Sequence, residues 1–280
     1  MFGSASYLIG RINSRKKILL YRTTEYTGSS IKNEFFSQTK WRAGSALILK
    51  GKVYTLSCFI SGPEDEWAYQ EKLNMLALLK EGQDWIQKQA LKNHCSVDFS
   101  EGGNFGMKED IKLPYIERGT ASGNESVDWV SKVLYKVGYK STLELVNWVK
   151  HNTSCENLQV IIFVKGQGNG YAMAYGDEMD KERYFVEGAV LYEKYNGGEK
   201  LAASSIAHEI LHLYGAWDLY KTFSQSEENE KRAKKLFPNS IMLRTSYNIN
   251  ELIVDELTAW LIGWNTKPEE WYESFRERNK

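Results

Sequence analysis

The apolar positions along the chain change period several times, and each change marks an element. Ala46 to Leu49 and Val53 to Ser61 are β-rich runs around Lys50-Gly51-Lys52, which predicts a hairpin or a bent strand. Pro63-Glu-Asp-Glu is an acidic helix start, and the pattern stays helical to about Asn93, with Leu76, Leu79, Trp85, Ile86 and Ala90 as core positions. Ser96 to Ser100 reads as a short strand. Gly102-Gly-Asn-Phe-Gly106 and the polar stretch to about Ser126 read as the longest loop. Val127, Val130, Val133, Leu134 and Val137 recur at helical spacing up to Gly138, and Ser141 with Glu144 forms a capping box for a second short helix through Val149. Leu158 to Val164 is a nearly continuous apolar run, as in a strand covered on both faces. Tyr184 to Tyr192 is the next strand, and a helix follows at roughly 200 to 214. Acids precede bases from Glu227 to Lys235, which suits a solvated helix.

Strands alternating with helices predict an α/β (α+β) fold, a twisted and mostly parallel sheet with helices packed on it. The expected organisation is an N-terminal extension over 1–44 with no assignable element, a lobe over 45–215, and a smaller, mainly helical C-terminal lobe over 216–280. No internal repeat is visible. A chain of 280 residues is long enough to bury a sizeable core.

Composition narrows the partners. Lys plus Arg equals Asp plus Glu at 36 each, so nothing suggests steering toward nucleic acid or an anionic membrane. No apolar run has transmembrane length. The start, Met1-Phe-Gly-Ser-Ala-Ser-Tyr-Leu-Ile-Gly-Arg, lacks a secretory pattern, and Cys58, Cys95 and Cys155 are odd in number and scattered. Both features lead us to expect a cytoplasmic protein, although a specialised export route would leave no trace in them.

The chemistry concentrates in His208-Glu-Ile-Leu-His212-Leu-Tyr-Gly215-Ala-Trp-Asp218. Two histidines four apart lie on one helical face and can share one metal ion, with Glu209 beside them where a general base belongs. Gly215 can end the helix in a left-handed conformation and reverse the chain, which brings Asp218 within reach as a third ligand. Glu227, His94 and His151 are the rival candidates. A fourth position left open to water marks a catalytic rather than a structural zinc site. With only 4 histidines in the chain, the pattern arises by chance on the order of half a percent of the time, so we set aside two buried structural histidines.

Other features are weaker. Lys165-Gly-Gln-Gly-Asn-Gly170 follows a strand, but a phosphate loop needs a helix directly after it. Tyr171-Ala-Met-Ala-Tyr175 looks extended instead. His94 and His151 sit near predicted helix C-termini, where imidazole complements the dipole, and read as structural. Tyr214, Tyr175 and Tyr247 are the hydroxyls near the motifs, and Tyr247 is the one chosen as a transition-state donor.

The motif resembles that of the metzincin zinc peptidases, His-Glu-x-x-His-x-x-Gly-x-x-His/Asp. Pro238-Asn-Ser-Ile-Met242 resembles their methionine turn, and Val254 to Trp264 suits the helix that follows it. The resemblance covers roughly 53 to 265. It implies that Met242 packs beneath the histidines and that Tyr171, Ala172, Met173, Ala174 and Tyr175 form an edge strand lining the cleft, where a plain surface hairpin is the alternative. Asp218 stands where most members have a third histidine, and Arg244 occupies the position at which some carry a metal-touching tyrosine. The implied activity is that of an endopeptidase holding one zinc per chain, with His208, His212 and Asp218 as ligands and Glu209 as general base. Its substrate is a protein or peptide. The competing readings are a zinc amidase acting on a non-protein amide and a non-catalytic zinc-binding module.

Overall fold

The computed structural model describes residues 44–62, 65–113, 123–173, 186–222 and 225–275, with the backbone alone at 123–129 and 173. It is mixed α/β. Among the described residues six strands form one sheet: β1 (Gly51–Ser61), β2 (Val97–Phe105), β3 (Ile111–Lys112), β4 (Asn157–Gln167), β5 (Tyr171–Met173) and β6 (Gly188–Lys194). Their order is β2-β1-β4-β6-β5, with β3 also on β1. Every pairing is parallel except β5 on β6, where Tyr171 faces Val190 and Met173 faces Gly188.

Side chains alternate across the sheet, as period-two geometry requires. Val53, Phe59, Ile161, Phe163, Ala189 and Leu191 face one layer, which contains α1 (Tyr69–Lys92), α4 (Ala203–Leu213) and the C-terminal segment. Leu56, Ile60, Val160, Ile162 and Val190 face the other, against α2 (Gly123–Lys136) and α3 (Thr142–Asn152). Covering both faces accounts for the unbroken apolar run in β4. Beyond α4, the described residues form α5 (Glu227–Leu236), α6 (Glu256–Leu261) and two short 3₁₀ turns.

Several elements differ from the sequence expectation. Ala46 to Leu49 is irregular rather than a strand. Its amides bond the Glu187 carboxylate, Asn157 Oδ1 and the Ile262 carbonyl instead of a ladder. Helix α1 starts at Tyr69, later than the acidic run, because Trp67 is pinned to the sheet through its amide on Asp110 and its indole on the Ile60 carbonyl. The Gly102–Phe105 stretch is strand, not loop. The register with β1 slips between Thr55 and Leu56, which leaves Gly102 as the extra residue of a bulge. A side chain there would meet the Tyr54 ring at 2.2 Å, so the position takes glycine. Strand β6 begins at Gly188, and the Tyr184 start predicted for it lies outside the described residues. The N-terminal extension, but for Gly44, lies outside them as well. Among the described residues no helix is long and apolar enough to cross a membrane.

Candidate metal centre

Helix α4 has no exposed face. Every residue from Ala203 to Leu213 is buried, as in a central core helix. Its position is set by close neighbours. Gly82 of α1 lets the two backbones approach, and a Cβ there would lie 2.9 Å from the Ala203 carbonyl oxygen. At its start, Ser204 Oγ donates to the Ser246 carbonyl at 2.6 Å and accepts the Ser246 amide at 3.0 Å.

The helix ends as its sequence suggests. Gly215 has φ of 88°, its amide reaches the His212 carbonyl at 2.9 Å, and the Ala216 amide reaches the Leu211 carbonyl at 3.2 Å. This is the Schellman arrangement, which requires a residue tolerant of the left-handed region. The reversal brings two groups back onto the helix. The Ala216 carbonyl accepts from His212 Nδ1 at 2.8 Å, and Asp218 Oδ1 comes to 3.2 Å from His212 Nε2 and 3.3 Å from His208 Nε2.

His208 is oriented from further away. Its Nδ1 donates to the Ile241 carbonyl at 2.9 Å. In both neutral rings the proton therefore sits on Nδ1, because a carbonyl only accepts, and each Nε2 presents a lone pair. The two Nε2 atoms lie 2.9 Å apart. Three acceptors, two imidazole nitrogens and a carboxylate oxygen, thus converge in a buried place. His208, His212 and Asp218 are 3%, 2% and 0% exposed. Neither Asp218 carboxylate oxygen has a hydrogen-bond donor of good geometry.

Charge at this point favours a cation. Burial alone would depress the His208 imidazole, but Asp218, Glu209 and the Ile241 carbonyl outweigh it and raise its pKa. Burial would raise Asp218, yet His212 and His208 hold it well below the usual carboxylate range. The same three residues form the group whose ligand atoms lie within 4.8 Å of one another and could hold a metal ion. Among the described residues, His94 and His151 take no part. His94 is exposed with φ of 56° just past α1, and His151 Nδ1 faces the Asn147 carbonyl.

Glu209 is 3% exposed and does not belong to the ligand group. It lies beside the entry to β5, where a Cβ built on Gly170 would be 3.5 Å from its Oε1. Tyr171 and Ala172 are buried in β5, and Met173 belongs to the strand by its backbone. Ala174 and Tyr175 lie outside the described residues. Lys165 to Gly170 leads into this strand rather than into a helix, so no phosphate-binding loop forms.

Met242 is fully buried in the same core as Leu211 and Leu219. Its carbonyl accepts the Leu219 amide at 2.9 Å, directly after Asp218, while its neighbour Ile241 serves His208. The turn is thereby tied to two of the three candidate ligands. Tyr247 is placed elsewhere. It is 71% exposed and its hydroxyl donates to the Lys200 carbonyl, before α4 begins. The bonds from Ser246 to Ser204 carry the chain toward that end of the helix, which takes Tyr247 away from the ligands. Tyr214 is also turned away, with its hydroxyl on Gln159 of β4.

Three features escape the sequence. The carbonyls of Ala216 and Ile241 carry no residue-type signal. Tyr220, two residues past Asp218, puts its ring centroid 6.1 Å from that of His208, and its offset from the aspartate was the available clue. The third is the hydrogen-bonded group Ser240, Asp255 and Thr258 behind the turn. No model of a known protein family matches the chain, and no curated protein does.

Proposed function

We propose that the protein is a zinc-dependent peptidase of the metzincin type. The observation that carries this reading is the convergence of three buried acceptor atoms, with the Nδ1 of both histidines already committed to main-chain carbonyls. The 3.2 and 3.3 Å from Asp218 to the two imidazoles fit the chemistry of zinc, and the 2.9 Å between the two Nε2 atoms is a few tenths of an ångström shorter. Ligand atoms at 2.0–2.2 Å from a tetrahedral ion stand about 3.3 Å apart. Two imidazoles and one carboxylate also form a typical donor set for a catalytic zinc ion, with the fourth position open to water.

His208, His212 and Asp218 would hold the ion. When bound, zinc supplies Lewis acidity, polarising a carbonyl and making a water acidic enough to lose a proton near neutral pH. The protein's own groups do the rest. Glu209 takes a proton from the attacking water and delivers it to the leaving amine. The buried surroundings of the ligands strengthen each electrostatic contact there. Strand β5 pairs only with β6 among the described residues, and its far side is suited to an extended peptide bound by β-augmentation. Met242 shapes the floor without acting as a ligand.

The test is Glu209→Gln. It keeps the shape of the side chain and removes the base. We expect a folded protein with zinc retained at parent stoichiometry and cleavage of a denatured-protein substrate reduced by more than about a hundredfold. Cleavage at the parent rate would rule Glu209 out. Stoichiometric zinc in a parent protein that cleaves no peptide would favour an amidase or a non-catalytic module.

A further inference from the structure

Behind the candidate ligands, a buried carboxylate organises the turn that orients one of them. Asp255 is 3% exposed, and Ser240 and Thr258 are fully buried. Ser240 Oγ donates to Asp255 Oδ2 at 2.6 Å, Thr258 Oγ1 donates to the same oxygen at 2.7 Å, and the Thr258 amide donates to Oδ1 at 2.9 Å. The last bond makes Asp255 the N-cap of α6. Asp255 accepts all three bonds, so the direction of each is fixed. The Ser240 hydroxyl must point at Asp255, which leaves its lone pairs for the Met242 amide at 3.0 Å. The main chain adds a second row. The Ile241 amide reaches the Ile253 carbonyl at 3.0 Å, and the Ile253 amide reaches the Asn239 carbonyl at 2.9 Å. Between these anchored residues sits the Ile241 carbonyl that accepts from His208 Nδ1.

We infer that Asp255 is a positioning residue for the metal centre, acting through Ser240 and the Ile241 carbonyl to fix the tautomer and tilt of the His208 ring. The inference rests on the zinc reading given above. The N-cap role alone does not call for a carboxylate, since asparagine caps helices as well as aspartate does. Two hydroxyls donating to one oxygen do call for it. Asparagine with its oxygen on the Thr258 amide would present NH₂ to both hydroxyls, and Ser240 would have to turn round. Partners that orient a ligating histidine typically change metal affinity by 10–100-fold when lost. Asp255 acts two hydrogen bonds further out, through Ser240 Oγ and the Met242 amide, so the lower end of that range is expected.

The experiment measures zinc affinity by chelator competition and the visible spectrum of the cobalt-substituted full chain. The proteins are the parent, Asp255→Asn, Ser240→Ala and His208→Ala. Asp255→Asn keeps the cap, and Ser240→Ala removes only the hydroxyl, so a fold defect in one leaves the other informative. We expect both to bind zinc about tenfold more weakly and to shift the cobalt bands, while His208→Ala loses binding. Parent affinity and parent cobalt bands in both variants would overturn the inference while His208→Ala still upholds the metal centre. Undiminished zinc binding by His208→Ala would overturn the metal centre itself. A fall in thermal stability with unchanged cobalt bands would reduce Asp255 to a helix cap and also overturn the inference.

Discussion

Gly82→Ala sets two effects of opposite sign against each other. Alanine in a helix interior is favoured over glycine by about 1 kcal/mol, so propensity alone predicts stabilisation. The structure predicts the reverse. The new Cβ would lie 2.9 Å from the Ala203 carbonyl oxygen, 3.4 Å from the Ala207 amide nitrogen and 3.6 Å from the Ala207 side chain. The first contact is with main chain of a fully buried helix, so relief requires α1 and α4 to part by a few tenths of an ångström. Overpacking of this kind costs about 1–3 kcal/mol. The two terms leave a net loss of up to about 2 kcal/mol, and each kcal/mol lowers Tm by roughly 2–4 °C in a domain near this size. Because α4 carries His208, Glu209 and His212, zinc affinity should fall as well. Urea and thermal unfolding in the presence of chelator would measure the first effect without the metal's contribution. A rise in Tm of the size expected from propensity would refute the close-packing argument.

Two further outcomes follow from the geometry. Lys72→Met should cost about 3–5 kcal/mol in urea unfolding, because it leaves the Asp110 carboxylate buried without its 2.7 Å partner. In the parent, burial opposes ionisation of Asp110, but Lys72, the Trp67 amide and Ser61 bring its pKa below 3.8. That contribution is complete above pH 3.8 and is lost as pH falls through the lowered value. Without Lys72 the largest lowering contribution is gone and the pKa rises relative to the parent, so the variant's deficit should shrink in acid, and a deficit independent of pH would contradict this. Tyr247→Phe should leave cleavage within about twofold, since the hydroxyl is exposed and donates to the Lys200 carbonyl; a hundredfold loss, the scale of a lost proton-transfer group, would return Tyr247 to the site.

The parts of the fold that sequence reveals are those whose signal is local. The helical period around Leu79, Trp85, Ile86 and Ala90 shows α1, and the apolar run from Leu158 shows β4. The cap at Ser141 and the stop at Gly215 depend on one or two residues, and both lie where their chemistry suggests. His208, Glu209, His212 and Asp218 could be read together because a single helix and a single turn bring them together. What sequence hides depends on distant contacts. Gly102 looks like a loop residue because the Tyr54 ring that excludes any side chain there lies far off in sequence. Ala46 to Leu49 looks like strand because its apolar side chains are visible and its bonds to Asn157 and Ile262 are not. Tyr247 looks near the motif because it follows Met242 closely in sequence, while the Ser246 to Ser204 bonds decide where the chain goes after that turn.

All three candidate ligands come from the one stretch between His208 and Asp218, and this bears on the order of assembly. Closing so short a loop costs little chain entropy, and the helix and its Schellman end are stabilised by neighbours in sequence. The carbonyl that orients His212 comes from the same stretch, at Ala216. Only the carbonyl for His208 arrives from far along the chain. On the proposed zinc reading, capture of the ion is therefore a low-contact-order event that can precede docking of the turn at Ile241, whereas final affinity waits for that docking. A chain folding in the presence of zinc would load the ion early and complete its grip late.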